Sequence, residues 1–155
     1  MPRFVQALLD GADFAKGSRF MPGAGSADIT FLRRVGNRAL NGVVNTLFRT
    51  RYTDLCYGYN AFWSHCLPDM NVTCSGFEVE TLINVRIAKA GLRVTEVPSF
   101  EAARLHGESK LHVIRDGRRV LMTIMRERLR RAGAGRTPVT WQPEFRELLP
   151  AGPAC

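Results

Sequence analysis

Residues 76–101 read GFEVETLINVRIAKAGLRVTEVPSFE, and this stretch decides the fold class. Gly76-Phe77-Glu78 opens a helix that runs through Ala90, with Val79, Leu82, Ile83 and Ile87 facing inward. Gly91 closes it, because a helix commonly ends on a residue with positive φ, which glycine adopts without a Cβ clash. Leu92 to Glu101 then reads as a strand that stops near Pro98 or just beyond it. A helix running directly into a strand is the repeating unit of α/β proteins.

Upstream, Tyr52 to Trp63 is rich in aromatic and β-favouring residues and predicts a strand with a turn, interrupted at Gly58. Ile29 to Phe48 places Leu32, Val35, Leu40, Val43, Val44 and Leu47 on one helical face. Arg33, Arg34, Asn37, Arg38 and Asn41 fall largely on another, which predicts a core side and a basic side. MPGAGSAD (21–28) is a glycine-rich loop, Ala12 to Phe20 a short strand, and Pro2 to Leu9 a helix ended by Asp10-Gly11. Downstream, His106 to Lys110 is a polar loop. Arg115 to Arg131 is a helix whose apolar side, Val120, Leu121, Ile124, Met125 and Leu129, is flanked by arginines. Beyond Gly133 proline and glycine crowd the sequence, so the expected organisation is one domain over 1–131 and a flexible tail over 132–155.

With 155 residues, 45% apolar and 9% aromatic, the chain has material for one packed core. Its formal charge is +8, and all but three of its 22 basic residues are arginine, so its surface should attract phosphate, anionic lipid or nucleic acid. No window is long and apolar enough for a membrane span, and the N-terminus lacks the apolar run of a signal peptide. A cytoplasmic protein is expected, soluble or peripheral at the inner face of the membrane. Cys56, Cys66, Cys74 and Cys155 form no CxxC pair, and with His65, His106 and His112 they complete no familiar zinc spacing; no metal site is expected from them.

The alternation of helix and strand predicts an α/β layer with a partly parallel sheet. About three strands and three to four helices would leave sheet edges uncovered, with self-association as the expected result, and no conventional phosphate loop follows a first strand. Four motifs occur in order: Gly17-Ser18-Arg19; Arg33 with Asn37 four residues later; Gly76-Phe77-Glu78-x-Glu80; and Glu96-Val97-Pro98 leading to Arg104-x-x-Gly107-Glu108-Ser109-Lys110. In that order they resemble the second half of dolichol-phosphate mannose synthases and related polyprenyl-phosphate sugar transferases, a type of family-2 glycosyltransferase. The resemblance covers roughly Pro2 to Leu129, and EVPSFEAARLHGESKL (96–111) is its most specific part.

The resemblance implies an incomplete GT-A, Rossmann-like layer whose N-terminal, nucleotide-sugar-binding half is missing. It implies transfer of a hexose from a nucleotide sugar to a polyprenyl phosphate, with a divalent metal, Mg or Mn, belonging to the missing half and no cofactor in this chain. In that family the DxD segment lies just before the helix that here begins at Pro2; Asp10 and Asp13 follow that helix and are expected to be cap and surface residues, not metal ligands. Arg19, Arg33 and Asn37 resemble acceptor-phosphate ligands, with Asn37 standing where relatives often carry serine. Arg104, Ser109 and Lys110 resemble an acceptor loop. Asp54 lies in YTDLCYGYNAF (52–62), which departs from the family's pattern at Cys56-Tyr57 and Asn60, and Asp54 and Glu80 are the catalytic candidates.

The chemistry explains why arginines would matter. A lipid phosphate attacking an anomeric carbon is already ionised near neutral pH, so it needs cationic positioning more than a general base. Arginine's planar fork can grip phosphate oxygens in pairs. Two non-catalytic alternatives fit the same charge: a basic membrane-surface module resting on the 115–131 helix, and a nucleic-acid-binding module. The second lacks a helix-turn-helix, a zinc finger or stacking aromatics in a basic strand, so no nucleic-acid partner is expected.

Overall fold

A computed structural model describes residues 1–103 and 112–130. The elements run α1 (Pro2–Leu9), β1 (Phe14–Ser18), β2 (Gly25–Ser26), α2 (Phe31–Phe48), β3 (Asn60–Phe62), α3 (Leu67–Met70), α4 (Val79–Lys89), β4 (Val94–Pro98), β5 (Phe100–Glu101) and α5 (Val113–Leu129). A single 3-10 turn, Ser64–Cys66, leads into α3. The chain is therefore mixed α/β, as the alternation predicts.

β1 is the middle strand of a three-stranded sheet, antiparallel to β3 and parallel to β4, with Lys16 opposite both Asn60 and Glu96. β2 and β5 form a separate parallel pair. One face of the larger sheet carries α1, where Phe4, Ala15 and Val97 pack with Ala7, Leu8 and Ala61. On the opposite face Phe14 packs with Cys66, Met70 and Ile87. A larger cluster, Val44, Tyr52, Leu55, Val85, Val120 and Ile124, joins α2, α4 and α5. Fully burying side chains of this size contributes about 1.5–3 kcal/mol each, so this cluster fixes how the three helices meet.

Helix ends follow their sequence signals. Thr30 caps α2, its side chain accepting from the Arg33 backbone N–H, and Gly11 and Gly91 have φ of 103° and 71°. Three expectations need correction. The 52–63 strand shrinks to Asn60–Phe62, because the backbone at 52–56 pairs with asparagine side chains of α2 and not with a neighbouring strand. The 92–101 strand stops at Pro98 as expected, but Phe100–Glu101 then forms a further strand, β5, that pairs with β2 in the glycine-rich loop. On α2 the sorting into apolar core and basic surface holds in part: Val44 is buried and Leu40, Val43 and Leu47 pack against the core, but Asn37 and Asn41 are buried as well, while Leu32 and Val35 are exposed. Where α2 meets the backbone of 52–56, amides satisfy its N–H and C=O groups as alkyl side chains could not. Arg34 and Arg38 do lie on the exposed face. The predicted tail, 132–155, lies outside the described residues.

Candidate functional site

Residues 52–56 carry the centre of the site. Asn45 donates from Nδ2 to the Tyr52 carbonyl at 2.9 Å and accepts the Tyr52 N–H at 2.8 Å. One turn earlier Asn41 donates to the Thr53 carbonyl at 2.6 Å and accepts the Leu55 N–H at 2.8 Å. Another turn earlier Asn37 accepts the Cys56 N–H at 3.1 Å and donates to Asp54 Oδ1 at 3.0 Å. Glu96 binds the Thr53 N–H and hydroxyl from the sheet side, and Asn84 of α4 donates to the Leu55 carbonyl. A segment without regular structure is thereby held along its whole length.

What this segment presents is Asp54, with no accessible surface. Its Oδ2 accepts the Arg19 backbone N–H at 3.1 Å and Arg19 Nε at 2.7 Å, while Oδ1 accepts Arg19 Nη2 and Asn37 Nδ2, each at 3.0 Å. The other edge of Arg19 reaches Glu101, from Nη1 to Oε2 at 2.9 Å, and its guanidinium lies 4.7 Å over the Tyr57 ring. Burial disfavours the charge on Arg19, but the bonds to Asp54 and then Glu101 more than offset it and raise its pKa above the ordinary arginine value. Gly17, two residues before Arg19, has no room for a side chain. A Cβ there would stand 2.7 Å from the Tyr59 carbonyl oxygen and 2.8 Å from the Tyr57 ring.

A cavity of about 560 Å³ opens beside this cluster, between α2, α5, β5 and residues 56–59. Arg19, Arg33, Asn37, Tyr57, Glu80 and Glu101 give it polar groups, while Ile29, Leu40, Phe77, Phe100, Val113 and Val120 give it an apolar wall. Arg33 is partly exposed and stands 3.7 Å from Asp28. Burial raises the Glu80 carboxyl above its usual range, and burial likewise pushes the Cys56 thiol up to about 11, with Asp54 adding to the effect. Beneath the site Lys16 is fully buried and donates to the Tyr57 carbonyl at 3.2 Å; burial lowers its pKa. Cys56 and Cys74 are free thiols, and Cys66 Sγ donates to the Asp13 carbonyl at 3.3 Å.

The structure brings Arg19, Arg33, Asn37, Asp54 and Glu80 together, four of them lining the cavity and Asp54 directly behind it. It also alters what two of them can do. Asp54, expected to be catalytic, has both oxygens filled by four donors, so it holds Arg19 and touches no cavity. Asn37, expected to bind phosphate, is committed to Asp54 and the Cys56 N–H. Arg104, Ser109 and Lys110 lie outside the described residues. Asp13 accepts the Arg93 N–H at 2.7 Å and faces His65, and Asp10 ends α1 and accepts from Gln6. Among the described residues no three His, Cys, Asp or Glu side chains are grouped to hold a metal ion.

Sequence reasoning missed Glu101 and the partners Asn41 and Asn45. The asparagine spacing 37, 41, 45 was the available signal, since side chains four apart share a helix face. Nothing in the sequence marks Glu101, which becomes a partner of Arg19 only through the β2–β5 pairing.

No family model matches the chain. It is similar to the glycosyltransferase AglJ of Haloferax volcanii, 34% identical over 128 residues, which cover 80% of this chain and 41% of that protein. A dolichyl-phosphate hexose transferase of the same organism is 30% identical over 135 residues, covering 84% of this chain and 57% of that protein. The chain thus spans about half the length of the curated relatives it matches. Over most of its own length this chain is similar to glycosyltransferases.

Proposed function

We propose that these residues form the acceptor-side part of a family-2, GT-A type glycosyltransferase that moves a hexose from a nucleotide sugar to a lipid phosphate of the polyprenyl kind. The observation that carries this reading is the amphiphilic cavity, whose lining combines Arg19 and Arg33 with an apolar wall that includes Leu40 of α2 and Val113 and Val120 of α5. A phosphate with a hydrocarbon chain has that mixed character. The similarity to a dolichyl-phosphate hexose transferase supports the same ligand class.

In this reading an oxygen of the lipid phosphate attacks the anomeric carbon, the bond from that carbon to the nucleotide diphosphate breaks, and a nucleoside diphosphate leaves. Arg33 faces the acceptor phosphate directly, Arg19 lends its charge from a fixed position, and Glu80 accepts a hydrogen bond from a sugar hydroxyl at the mouth of the cavity. The nucleotide sugar, with its Mg or Mn ion, is assigned to residues beyond this chain. The described side chains do not fit such an ion, and no step here depends on one.

A peripheral position at the inner membrane face fits the same site. Phe31 and Ile114 are 81% and 86% exposed and sit in the turns of α2 and α5 that line the cavity, beside the exposed Arg34, Arg38, Arg115 and Arg118. Apolar tips within a basic ring suit an anionic lipid surface. No helix among the described residues is long and apolar enough to cross a membrane.

Titration of farnesyl phosphate into the protein tests the acceptor assignment. Binding is expected for farnesyl phosphate and not for farnesol, and Arg33→Ala should weaken it roughly ten- to a hundredfold, the equivalent of about 1.5–3 kcal/mol for a charge-assisted bond. Arg34→Ala should change it less than about threefold, as expected of an exposed charge. Equal losses in the two variants would remove α2 from the phosphate site. The chain by itself should show no turnover with any nucleotide sugar, and turnover above background would refute the assignment of the donor site elsewhere.

A further inference from the structure

The cavity wall poses a difficulty that its own residues resolve. The chain carries +8 overall, yet the described lining has two arginines, Arg19 and Arg33, against three carboxylates, Glu80, Glu101 and Asp116. The Nη1 edge of Arg19, where an anion would bind, already carries Glu101. We propose that Glu101 competes with the acceptor's phosphate for the Nη1 edge of Arg19, and so sets the affinity of this site for phosphomonoesters. The proposal rests on the acceptor-phosphate reading above.

The two carboxylates on Arg19 are held in different ways. Asp54 takes the Nε and Nη2 side in a two-pronged pair, has no accessible surface, and is also tied to Asn37, so it stays. Glu101 is 26% exposed at its side chain, and both its bonds end on one oxygen, Oε2: one from Arg19 at 2.9 Å, one from the Ser26 hydroxyl at 2.5 Å. It stands on a two-residue strand whose partner strand is equally short. A carboxylate at the cavity edge on such a short element can turn away at far less cost than one buried under three elements. A phosphate and Glu101 cannot share the edge, because two anions at bonding distance from one donor repel each other strongly in a partly dry site. The guanidinium itself stays put when Glu101 leaves, since Asp54 and the face of Tyr57 hold it.

Calorimetric titration of inorganic phosphate and of farnesyl phosphate into wild type, Glu101→Gln and Ser26→Ala tests this. Glutamine keeps the size and the bond to Ser26 but removes the charge, so both ligands should bind about tenfold tighter to Glu101→Gln. Ser26→Ala, which removes one of the two bonds on Glu101 Oε2 and the acceptor of the Asp28 and Ile29 N–H groups without changing any charge, should shift affinity in the same direction and by less. If wild type binds farnesyl phosphate, Arg33→Ala loses it, and Glu101→Gln binds no tighter, the competition is overturned while the acceptor reading stands. Tightening with inorganic phosphate alone also overturns it, because the anion at Arg19 is then not the acceptor's. Absence of binding to both wild type and Glu101→Gln sinks the competition and the acceptor reading together.

Discussion

Two buried arginines do different work in this protein. Arg86 of α4 donates from Nε and Nη2 to Glu127 Oε1 at 3.1 and 3.0 Å and from Nη1 to the carbonyls of Met70 and Asn71, while Lys89 adds its own bond to Glu127. All of these partners tie α3, α4 and α5 to one another, and none lines the cavity. Arg19 is as buried and as fully paired, but one of its edges borders the cavity and rests on a group able to leave. Burial and ion pairing alone therefore do not separate the two; the cavity at one edge of Arg19 and the partial exposure of Glu101 do.

Removing the carboxylate from each arginine should separate the two roles. Asp54→Ala leaves a buried guanidinium with half its partners gone and should cost about 3–5 kcal/mol of stability and abolish phosphate binding. Glu127→Ala should cost less, about 1.5–3 kcal/mol, since Arg86 retains two carbonyls, and should leave phosphate affinity unchanged in protein that remains folded. Chemical denaturation paired with phosphate titration measures both. An equal loss of binding in the two variants would erase the contrast.

Asn41→Ala sharpens the comparison from a third position. It removes partners from the Thr53 carbonyl and the Leu55 N–H without touching the cavity wall, so stability should fall by about 1–3 kcal/mol. Phosphate affinity should fall with it if 52–56 positions Arg19 through Asp54, whereas Asn84→Ala, also a partner of that segment, should disturb Leu55 without moving Asp54. Matching affinity in Asn41→Ala and wild type would show that Asp54 keeps its place unaided.

The smallest effects are on pH dependence, and they have opposite signs. Burial alone would raise the Glu127 carboxyl, but Lys89 and Arg86 more than offset that and hold it below its reference value of 4.5. The folded state therefore binds the proton less tightly than the unfolded one; this stability is complete above pH 4.5 and lost as pH falls through the folded pKa. Glu127→Gln should flatten that acid limb. Glu80 is raised above 4.5 by burial, so its contribution worsens as pH climbs through its folded pKa. Glu80→Gln should melt slightly higher than wild type at neutral pH and no higher well below pH 4.5, and thermal melts across that range would expose a reversed order.

Much of this architecture is legible in the sequence because its signals are local. Gly11 and Gly91 end helices through backbone freedom, and 76–101 declares helix then strand by periodicity alone. The cavity residues Arg19, Arg33 and Glu80 also emerge, since a resemblance of ordered motifs selects them. What does not emerge depends on pairing across the chain. Residues 52–56 have strand-like composition, yet five of their backbone hydrogen bonds go to asparagine side chains of α2 7 to 19 residues upstream, and composition cannot tell a strand from an extended segment bound to a helix. Asp54 reads as catalytic through the resemblance of its segment to the family's, and only its four donors show it held on Arg19 and Asn37.

The asparagines of α2 carry one more consequence, which is metric. Four residues of helix advance about 6 Å, and two residues of extended chain advance about 6.6 Å, so the two repeats keep step over short distances. Asn45, Asn41 and Asn37 meet the chain at 52, at 53 and 55, and at 56, running in opposite directions. The helix acts as a ruler whose marks are amide groups, and the segment laid along it has only one alignment that satisfies every mark. Adding or deleting a single residue there would shift the carbonyls and N–H groups on one side of the change off their marks and displace Asp54. Length is the quantity this part of the chain has to conserve.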